Sequence, residues 1–413
     1  MADIIIIGGG HAAAQAVLSL KQAKFDGTIA LISAEDFLPY QRPPLSKAYL
    51  KGQVQAERLP IHRQKLYDDM QVALYLGQRA EKIDRQEKNV TLSSGEILPY
   101  GHLILATGGE ARRLSIPGAG LHGIHYVRQK ADVDHMQAAW STVKNIAIIG
   151  GGYIGLEVAA AAIDAGKKVT LLESEDRLLK RVTAPIVSEF YADYHRAKGV
   201  DIKLGSQVVE LLADEKGEQV NGLQSQDGTS ITADMVIVGI GLEPNSQLAE
   251  VAGLEVHPAG ITVNDFAQTS DPAIYAVGDV SWHHNRFYDR WMRLESVQNA
   301  VDQTKVAVGH ILGGSDVYDA QPWFWSEQYD LKLQTVGLSE GYDNIVERGD
   351  SGAGKVAYFY LKEGCIIAAD CINMMAEFMQ AKKLIAARQP VSPDQLLDPR
   401  PFKEVAQDLL GQK

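Results

Sequence analysis

Two glycine-rich segments about 140 residues apart could each bind the phosphates of a dinucleotide. Residues 8–13 (GGGHAA) follow an isoleucine run, and residues 150–155 (GGGYIG) follow a second apolar run. Each segment stands where a buried strand would turn into a helix, so that backbone N–H groups at the helix N-terminus can approach a pyrophosphate. Two such segments predict two dinucleotides, most economically a flavin dinucleotide and a nicotinamide dinucleotide.

The three glycine positions of each segment have different structural roles. The first glycine makes the tight turn, the second permits close approach of the phosphates, and the third position lets helix and strand pack closely. Ala13 replaces the third glycine of the first segment, which is tolerated because that position needs only a small side chain. The predicted phosphate-binding positions are Gly8, Gly10 and Ala13 in the first segment and Gly150, Gly152, Tyr153, Ile154 and Gly155 in the second.

Two glutamates stand at the distance from these segments that suits a ribose-binding acid, which is about twenty residues. Glu35 lies 22 residues after Ala13, and Glu173 lies 18 residues after Gly155. A carboxylate at Glu173 accepts a free 2′-hydroxyl and repels a 2′-phosphate, so it predicts a preference for NADH over NADPH. Arg181 lies nearby and could weaken that discrimination.

Glycines at the ends of later strands mark further cofactor positions. Asp279 follows Gly278 at the end of a short apolar run, where a carboxylate can accept hydrogen bonds from the ribityl hydroxyls of a flavin. Gly241 ends the apolar run of residues 235–241. Both positions are predicted to lie beside a cofactor, because ligands of open α/β sheets bind at the carboxyl ends of the strands.

The elements that must position these residues occur twice. Residues 1–108 and 117–242 follow the same plan of strand, glycine turn, helix and strand, and each ends in an apolar strand broken by glycine. Residues 274–280 would complete the first copy, so the second domain is predicted to be inserted into the first. After Gly314 the composition changes to strand-like alternation followed by a helix.

These patterns predict an α/β fold with two Rossmann-like dinucleotide-binding domains, one inserted in the other, and a small α+β C-terminal domain. The predicted boundaries are 1–112 and 243–317 for a discontinuous FAD-binding domain, 113–242 for an NADH-binding domain and 318–413 for the C-terminal domain.

Composition excludes several classes of protein. The chain has 413 residues, enough for two or three domains, and its net charge of −12 argues against a nucleic-acid partner. Neither a secretory leader nor an apolar stretch of about 20 residues is evident, so we expect a cytoplasmic protein without a membrane partner. The histidines at positions 122, 125, 283 and 284 are expected on the surface or in turns, and their spacing predicts no metal site.

Four further segments give the chain a more specific resemblance. Residues 43–47 (PPLSK), 150–157 (GGGYIGLE), 276–279 (AVGD) and 322–326 (PWFWS) occur in the same order as in the bacterial ferredoxin reductases of oxygenase systems. The chain resembles that family over nearly its whole length. The resemblance implies the glutathione-reductase-like flavoprotein fold, FAD and NADH as cofactors, and a small acidic [2Fe–2S] ferredoxin as partner.

The resemblance also implies roles for individual residues. Lys47 would lie by the flavin ring and pair with Glu157, and Trp325 would shield the ring; these three are the candidate catalytic residues. An ammonium group there would stabilise the anionic reduced flavin. The further implied FAD contacts are Arg42, Thr107 and Val297.

The positions of the cysteines argue against a dithiol mechanism. Disulfide reductases of this fold need a redox-active cysteine pair near the flavin, and related peroxidases need one cysteine in the region of residues 42–47, which has none. Cys365 and Cys371 have neither the Cys-X-X-Cys spacing nor a usual zinc spacing, and we expect both to be structural. The flavin would then pass its electrons directly to the partner.

Basic clusters supply candidates for the docking of an acidic partner. Residues 39–66 carry six Lys or Arg against one acid, and a second cluster surrounds residue 290. The docking candidates are Arg63, Lys65, Arg286 and Arg290. Alternative functions remain open at this point: a rubredoxin reductase, an NADH-sensing flavoprotein without a carrier, or an NADH oxidase, which the missing cysteine disfavours.

Overall fold

The computed structural model of the protein describes residues 2–411, which form two units. The first unit takes the described residues up to Arg42, together with Val54–Glu110 and Leu242–Ala320. The second takes Pro43–Gln53, Ala111–Gly241 and the described residues from Gln321 onward.

A parallel sheet forms the centre of the first unit. Its parallel strands lie in the order Ala73–Leu76, Ile29–Ser33, Ala2–Ile7, Ile97–Leu105 and Ile274–Ala276. The isoleucines at positions 4–7 are all buried, as expected for a strand that is covered on both faces. The last strand comes from residue 274 onward, so the sheet is completed by chain that follows the segment 111–241 of the second unit.

The remaining elements of the first unit flank this sheet or form a smaller one. Two antiparallel strands, Asn89–Leu92 and Ala80–Asp84, extend the sheet beyond Ile97–Leu105. A four-stranded sheet has the order Val256–His257, Gly260–Val263, Ser281–Asn285 and Arg290–Met292. The other elements are the short strand Leu242–Pro244, the helices His11–Gln22, Gln64–Asp69, Gln247–Val251 and Val297–Ile311, and the 3₁₀ turns Ala56–Arg58 and Gly278–Val280.

The second unit contains a parallel sheet of the same kind. Its strands lie in the order Asp201–Lys203, Lys168–Leu172, Asn145–Ile149, Met235–Val238 and Ile124–Tyr126. Its helices are Lys130–Trp140, Tyr153–Asp164 and Pro185–Ala197, and its 3₁₀ turn is Pro43–Ser46. A three-stranded antiparallel sheet follows in the order Val208–Ala213, Val220–Ser225 and Ser230–Thr232. The short strand Gly109–Ala111 lies where the first unit gives way to the second along the chain.

An antiparallel sheet completes the second unit. Its five strands have the order Trp323–Gln328, Leu331–Gly337, Cys365–Ile372, Lys355–Lys362 and Asn344–Asp350. The helix Met375–Ala387 buries Phe378, Ala381, Leu384 and Ile385, a spacing that places one apolar stripe against its surroundings. The helices Pro393–Leu396 and Phe402–Leu409 end the described chain.

The predicted fold class is confirmed, since both dinucleotide-binding patterns form parallel α/β sheets and the C-terminal residues form an α+β arrangement. The domain boundaries stay a prediction. Among residues 2–411 no helix is both long and apolar enough to span a membrane. Within the same range, no group of three or more His, Cys, Asp or Glu side chains could hold a metal ion.

One expectation about the histidines is wrong. His283 is buried, with 2% of its surface exposed, in the middle of the strand Ser281–Asn285. Residues 281, 283 and 285 of this strand alternate inward, so strand periodicity places the imidazole inside although no local composition signal marks it.

Candidate functional site

The first glycine turn has the geometry of a phosphate site. Gly8 has a φ of +146°, and a Cβ at this position would lie 2.1 Å from the carbonyl oxygen of Ala106, so only glycine fits. Gly10, which begins the helix His11–Gln22, has open space where a Cβ would be. Ala13 is fully buried. The turn is therefore closed toward the sheet and open at the helix N-terminus.

The second turn repeats this arrangement in the second unit. Gly150 has a φ of +108°, and a Cβ there would lie 2.3 Å from the carbonyl oxygen of Gly239. A Cβ at Gly155 would lie 2.1 Å from the carbonyl oxygen of Gly150, which is the close helix-to-strand approach predicted for this position. Gly152 has open space around it, and Tyr153 and Ile154 begin the helix behind it.

Both turns fit the phosphates of a dinucleotide. Among residues 2–411, neither the helix His11–Gln22 nor the helix Tyr153–Asp164 has a side-chain cap or an acidic residue in its first turn. Their first N–H groups therefore face the open side of each glycine turn together with the positive end of the helix dipole. A phosphate is the group that satisfies these donors best.

Glu173 lies directly beside the second turn. Its Oε2 accepts a hydrogen bond of 2.6 Å from the backbone N–H of Gly151, and its Oε1 accepts one of 2.8 Å from the backbone N–H of Glu175. The residue follows the strand Lys168–Leu172 and is half-buried. The structure thus brings the predicted ribose acid and the predicted phosphate turn together.

Two other predicted NADH positions are neighbours. A Cβ built on Gly241, whose φ is +106°, would lie 3.3 Å from Nη2 of Arg181. Arg181 is exposed. Arg177, by contrast, donates hydrogen bonds to the Thr183 carbonyl and the Ser188 hydroxyl at 2.9 and 2.7 Å, so it organises its own loop.

In the first unit, the structure brings Glu35 and Arg42 together. Nη2 of Arg42 lies 2.5 Å from Oε1 of Glu35, and the hydroxyl of Tyr40 donates to Oε2 at 2.6 Å. The guanidinium also stacks over the Tyr40 ring at 4.7 Å. Both predicted FAD positions therefore belong to one hydrogen-bonded group just beyond the strand Ile29–Ser33.

Three other predicted FAD positions lie at the ends of elements. The Thr107 hydroxyl donates to the backbone carbonyl of Asn245 at 2.9 Å, and the side-chain amide of Asn245 donates to the backbone carbonyl of Thr107 at 3.0 Å. Asp279 is half-buried in the turn Gly278–Val280. Val297 is the first residue of the helix Val297–Ile311.

The turn that carries Asp279 is held tightly. Gly278 has a φ of +77°, and its N–H donates to the side-chain oxygen of Gln303 at 2.8 Å. A Cβ at Gly278 would lie 3.4 Å from the Cβ of Ala300 and 3.6 Å from that of Ala12. The turn before Asp279 therefore packs against Ala12 of the helix that follows the first glycine turn.

Glu157 and Lys47 form an ion pair in the second unit. Nζ of Lys47 lies 2.7 Å from Oε2 of Glu157, with 17% of the lysine side chain and 4% of the glutamate side chain exposed. The hydroxyl of Ser46 donates to the same Oε2 at 2.5 Å, and the hydroxyl of Ser326 donates to Oε1 at 2.6 Å. Both oxygens of this buried carboxylate are therefore engaged.

Three segments far apart in sequence meet at this carboxylate. Glu157 lies on the buried face of the helix Tyr153–Asp164, which the second glycine turn starts. Ser46 ends the turn Pro43–Ser46, whose two prolines restrict the backbone, and Lys47 follows it. Ser326 lies on the strand Trp323–Gln328. The segments PPLSK, GGGYIGLE and PWFWS thus contribute to a single site.

Trp325 lies on the same strand as Ser326, one residue away, and its side chain therefore points to the opposite face. Trp325 is half-buried, and its ring centroid lies 5.7 Å from that of Trp323 and 6.2 Å from that of Phe324. Phe324 in turn packs on Tyr153 at 4.6 Å. An aromatic cluster therefore adjoins the start of the helix that carries Glu157.

Sequence reasoning assigned no role to Ser46 and Ser326, although both lie inside the segments that carry the resemblance. A serine has no charge or spacing pattern that marks it as a partner of a distant glutamate. His195 and Gln328, which continue the hydrogen bonding from Ser326, also have no local signal.

The docking candidates all belong to the first unit. Arg63 and Arg286 are exposed, and Arg290 is half-buried. Lys65 is 81% exposed in its side chain and pairs with Asp69 at 2.8 Å, so part of its charge is balanced by an acid just outside the basic segment. Their role in docking stays a prediction.

Known proteins resemble this chain over nearly its whole length. The family described as pyridine nucleotide-disulphide oxidoreductase matches residues 2–304, and the reductase C-terminal family matches residues 323–405. The 5,5′-dehydrodivanillate O-demethylase ferredoxin reductase subunit of Sphingobium sp. is 45% identical over 98% of both chains. Putidaredoxin reductase of Pseudomonas putida is 41% identical over 98% of this chain and 96% of its own.

A solved structure resembles the whole chain. The covalent putidaredoxin reductase–putidaredoxin complex matches with a TM-score of 0.95 and 41% identity over 99% of both chains. With two phosphate turns, a buried lysine–glutamate pair and matches over nearly its full length, the chain belongs to the pyridine nucleotide-disulphide oxidoreductase family, among the ferredoxin reductases of oxygenase systems.

Proposed function

We propose that this protein takes electrons from NADH and passes them, through FAD, one at a time to a small acidic [2Fe–2S] ferredoxin that serves an oxygenase. The proposal rests on the Lys47–Glu157 ion pair, whose carboxylate is buried, together with two open phosphate turns in one chain. Relatives named as an O-demethylase ferredoxin reductase subunit and as a putidaredoxin reductase support the acceptor. When bound, FAD accepts a hydride and returns the two electrons singly, which nicotinamide cannot easily do.

The proposed cofactor sites follow the predicted residues. The discontinuous domain 1–112 and 243–317 binds FAD, and the domain 113–242 binds NADH. The FAD positions are Gly8, Gly10, Ala13, Glu35, Arg42, Lys47, Thr107, Asp279, Val297 and Trp325. The NADH positions are Gly150, Gly152, Tyr153, Ile154, Gly155, Glu157, Glu173, Arg181 and Gly241.

In this proposal, Lys47 holds a positive charge next to the flavin ring, and Glu157 keeps the ammonium in place. An oriented charge in a site that excludes water acts more strongly than one in solvent and needs no rearrangement during the reaction. Burial supports the assignment, because an ion pair taken out of water is costly unless its remaining hydrogen bonds are satisfied. The two serines satisfy those of Glu157.

The cysteines support direct transfer to the partner. Cys371 is fully buried, and burial raises the pKa of its thiol well above the ordinary value, so it does not supply a thiolate. Cys365 lies on the same strand, Cys365–Ile372, and both are free thiols. Free thiols suit a reducing compartment, and we propose the cytoplasm as the location.

Replacing Lys47 tests the proposal directly. Lys47→Met keeps the length of the side chain and removes the charge, and we expect it to slow flavin reduction by NADH about 10- to 100-fold. The measurement is the loss of flavin absorbance in an anaerobic stopped-flow at saturating NADH.

Lys51→Met is the matched control, because Lys51 lies in the same segment 43–53 and pairs with Asp164 at 3.2 Å instead of with Glu157. The flavin of this variant should be reduced by NADH at the same rate as in the unchanged protein. Equal rates for Lys47→Met and the unchanged protein would refute the role of the ion pair.

A further inference from the structure

A chain of buried side chains leads away from Glu157. The Ser326 hydroxyl donates to Oε1 of Glu157 and accepts a hydrogen bond of 3.1 Å from Nε2 of Gln328. The side-chain oxygen of Gln328 lies 2.8 Å from Nε2 of His195. Ser326 and His195 are fully buried and Gln328 is 1% exposed.

The chemistry of the groups fixes the direction of every bond. Because a carboxylate only accepts, the single proton of Ser326 is directed at Glu157, and the serine oxygen is left to accept from the Gln328 amide. The Gln328 carbonyl then needs a donor, so His195 carries its proton on Nε2. Burial lowers the pKa of His195 to about 4, which leaves a neutral imidazole with one N–H in the neutral range. All the donors therefore point toward the carboxylate.

The three side chains come from two different elements. His195 lies near the end of the helix Pro185–Ala197, while Gln328 and Ser326 lie on the strand Trp323–Gln328. Nδ1 of His195 lies 3.4 Å from the hydroxyl of Tyr329, the residue after that strand. His195 on the helix and Gln328 on the strand thus meet through polar groups, whose burial is costly unless they are hydrogen-bonded.

A buried polar side chain on this helix does not always have a hydrogen-bond partner. Tyr191 lies one helical turn before His195 and is equally buried, and its hydroxyl has no hydrogen-bond partner within residues 2–411. The Tyr191 hydroxyl thus has no partner among these residues, whereas His195, one turn later, is connected through Gln328 and Ser326 to the carboxylate of the ion pair.

We propose that Ser326, Gln328 and His195 are positioning residues, which hold Glu157 and through it the Lys47 ammonium in the geometry required for flavin reduction. This inference rests on the function proposed above for the ion pair. Without the bond from Ser326, the Oε1 side of the carboxylate is unrestrained, and the group can rotate about its remaining bonds to Ser46 and Lys47. Misplacement of a charge by a fraction of an ångström is expected to slow the reaction about 3- to 30-fold.

The first test compares three substitutions on one helix. His195→Leu removes the donor to Gln328, His195→Gln can restore an N–H at a similar reach, and Tyr191→Phe removes an unbonded hydroxyl. We expect His195→Leu to lower the rate constant of flavin reduction at saturating NADH while the Kd for NADH stays the same. His195→Gln should recover most of the rate, and Tyr191→Phe should match the unchanged protein. A His195→Leu rate equal to that of the unchanged protein overturns the proposal.

A double substitution separates positioning from general damage. In a Glu157→Gln background, Ser326, Gln328 and His195 have no carboxylate to hold. Adding His195→Leu should therefore cause no further loss in the rate of flavin reduction. If His195→Leu slows both backgrounds by the same factor, its effect does not pass through Glu157 and the proposal is wrong. Should His195→Leu not fold, Ser326→Ala, a much smaller change, takes its place in both comparisons.

The same data distinguish this inference from the proposed function. A normal rate in Glu157→Gln alone refutes the role of the ion pair, and the positioning chain falls with it. A slow Glu157→Gln combined with normal His195→Leu and Ser326→Ala refutes the positioning chain alone.

Discussion

Glu157 is the residue at which the most structure converges. A buried ion pair is stable only where additional hydrogen bonds offset the desolvation of both charges, and removal of one partner leaves an uncompensated charge. Here Lys47, Ser46 and Ser326 all bind one carboxylate. The cost of assembling such a group is difficult to explain by stability alone, which supports a role in the reaction.

Nucleotide choice is also decided at a single residue in this account. We predict that Glu173→Ala lowers the ratio of kcat/KM for NADH over that for NADPH by about 5- to 100-fold, because it removes a charge-assisted bond to the ribose and the repulsion of a 2′-phosphate. Steady-state rates with both nucleotides give the ratio. An unchanged ratio would show that the preference does not reside in this carboxylate.

Glu175→Ala is the suitable control for this change. Glu175 is an exposed acid of the same loop, and its carboxylate pairs with Lys180 at 2.7 Å and not with the glycine turn. It should leave the ratio as it is in the unchanged protein.

At the scale of elements, one glycine of the second turn is needed for folding and another for binding. Gly150 has a left-handed φ of +108° and no room for a Cβ, whereas Gly152 has a φ of −80° and open space. We predict that Gly150→Ala costs about 1–3 kcal/mol of stability. Gly152→Ala should leave Tm nearly unchanged and weaken the binding of NADH, because the new methyl group faces the phosphates.

Thermal unfolding and NADH titration of both variants check this prediction. A Gly150→Ala variant as stable as the unchanged protein, or a Gly152→Ala variant that binds NADH normally, would contradict these expectations.

Local sequence patterns predicted most of the elements that carry the site. The apolar run before Gly241 forms the strand Met235–Val238, and residues 274–280, expected to complete the first copy, begin with the strand Ile274–Ala276. These succeed because apolar runs and glycine turns are local signals. The partners Ser46, Ser326, Gln328 and His195 could not be predicted, because their contacts join segments up to 169 residues apart and their types carry no periodic signal.

At the scale of the whole molecule, a net charge of −12 must coexist with the binding of an acidic partner. Local fields decide such docking, and they act on the rate of encounter and its dependence on salt. We predict that Arg63→Glu combined with Arg290→Glu raises the KM for ferredoxin at low salt and leaves ferricyanide reduction unchanged. Assays at two ionic strengths measure this, and the difference should shrink as salt increases.

A control with the same change in net charge is available in the second unit. Arg196 and Lys216 are both exposed, and Arg196→Glu with Lys216→Glu should leave the KM for ferredoxin near its original value. If both double variants raise KM equally, total charge and not a docking surface explains the effect.

Electron delivery to an iron–sulfur carrier can be followed in one anaerobic experiment. The FAD-loaded protein is reduced with one equivalent of NADH and mixed with an oxidised [2Fe–2S] ferredoxin in a stopped-flow. We predict rapid bleaching of the iron–sulfur absorbance as the flavin absorbance returns. Flavin that stays reduced with the ferredoxin and then reoxidises rapidly in air would contradict the account and favour an NADH oxidase.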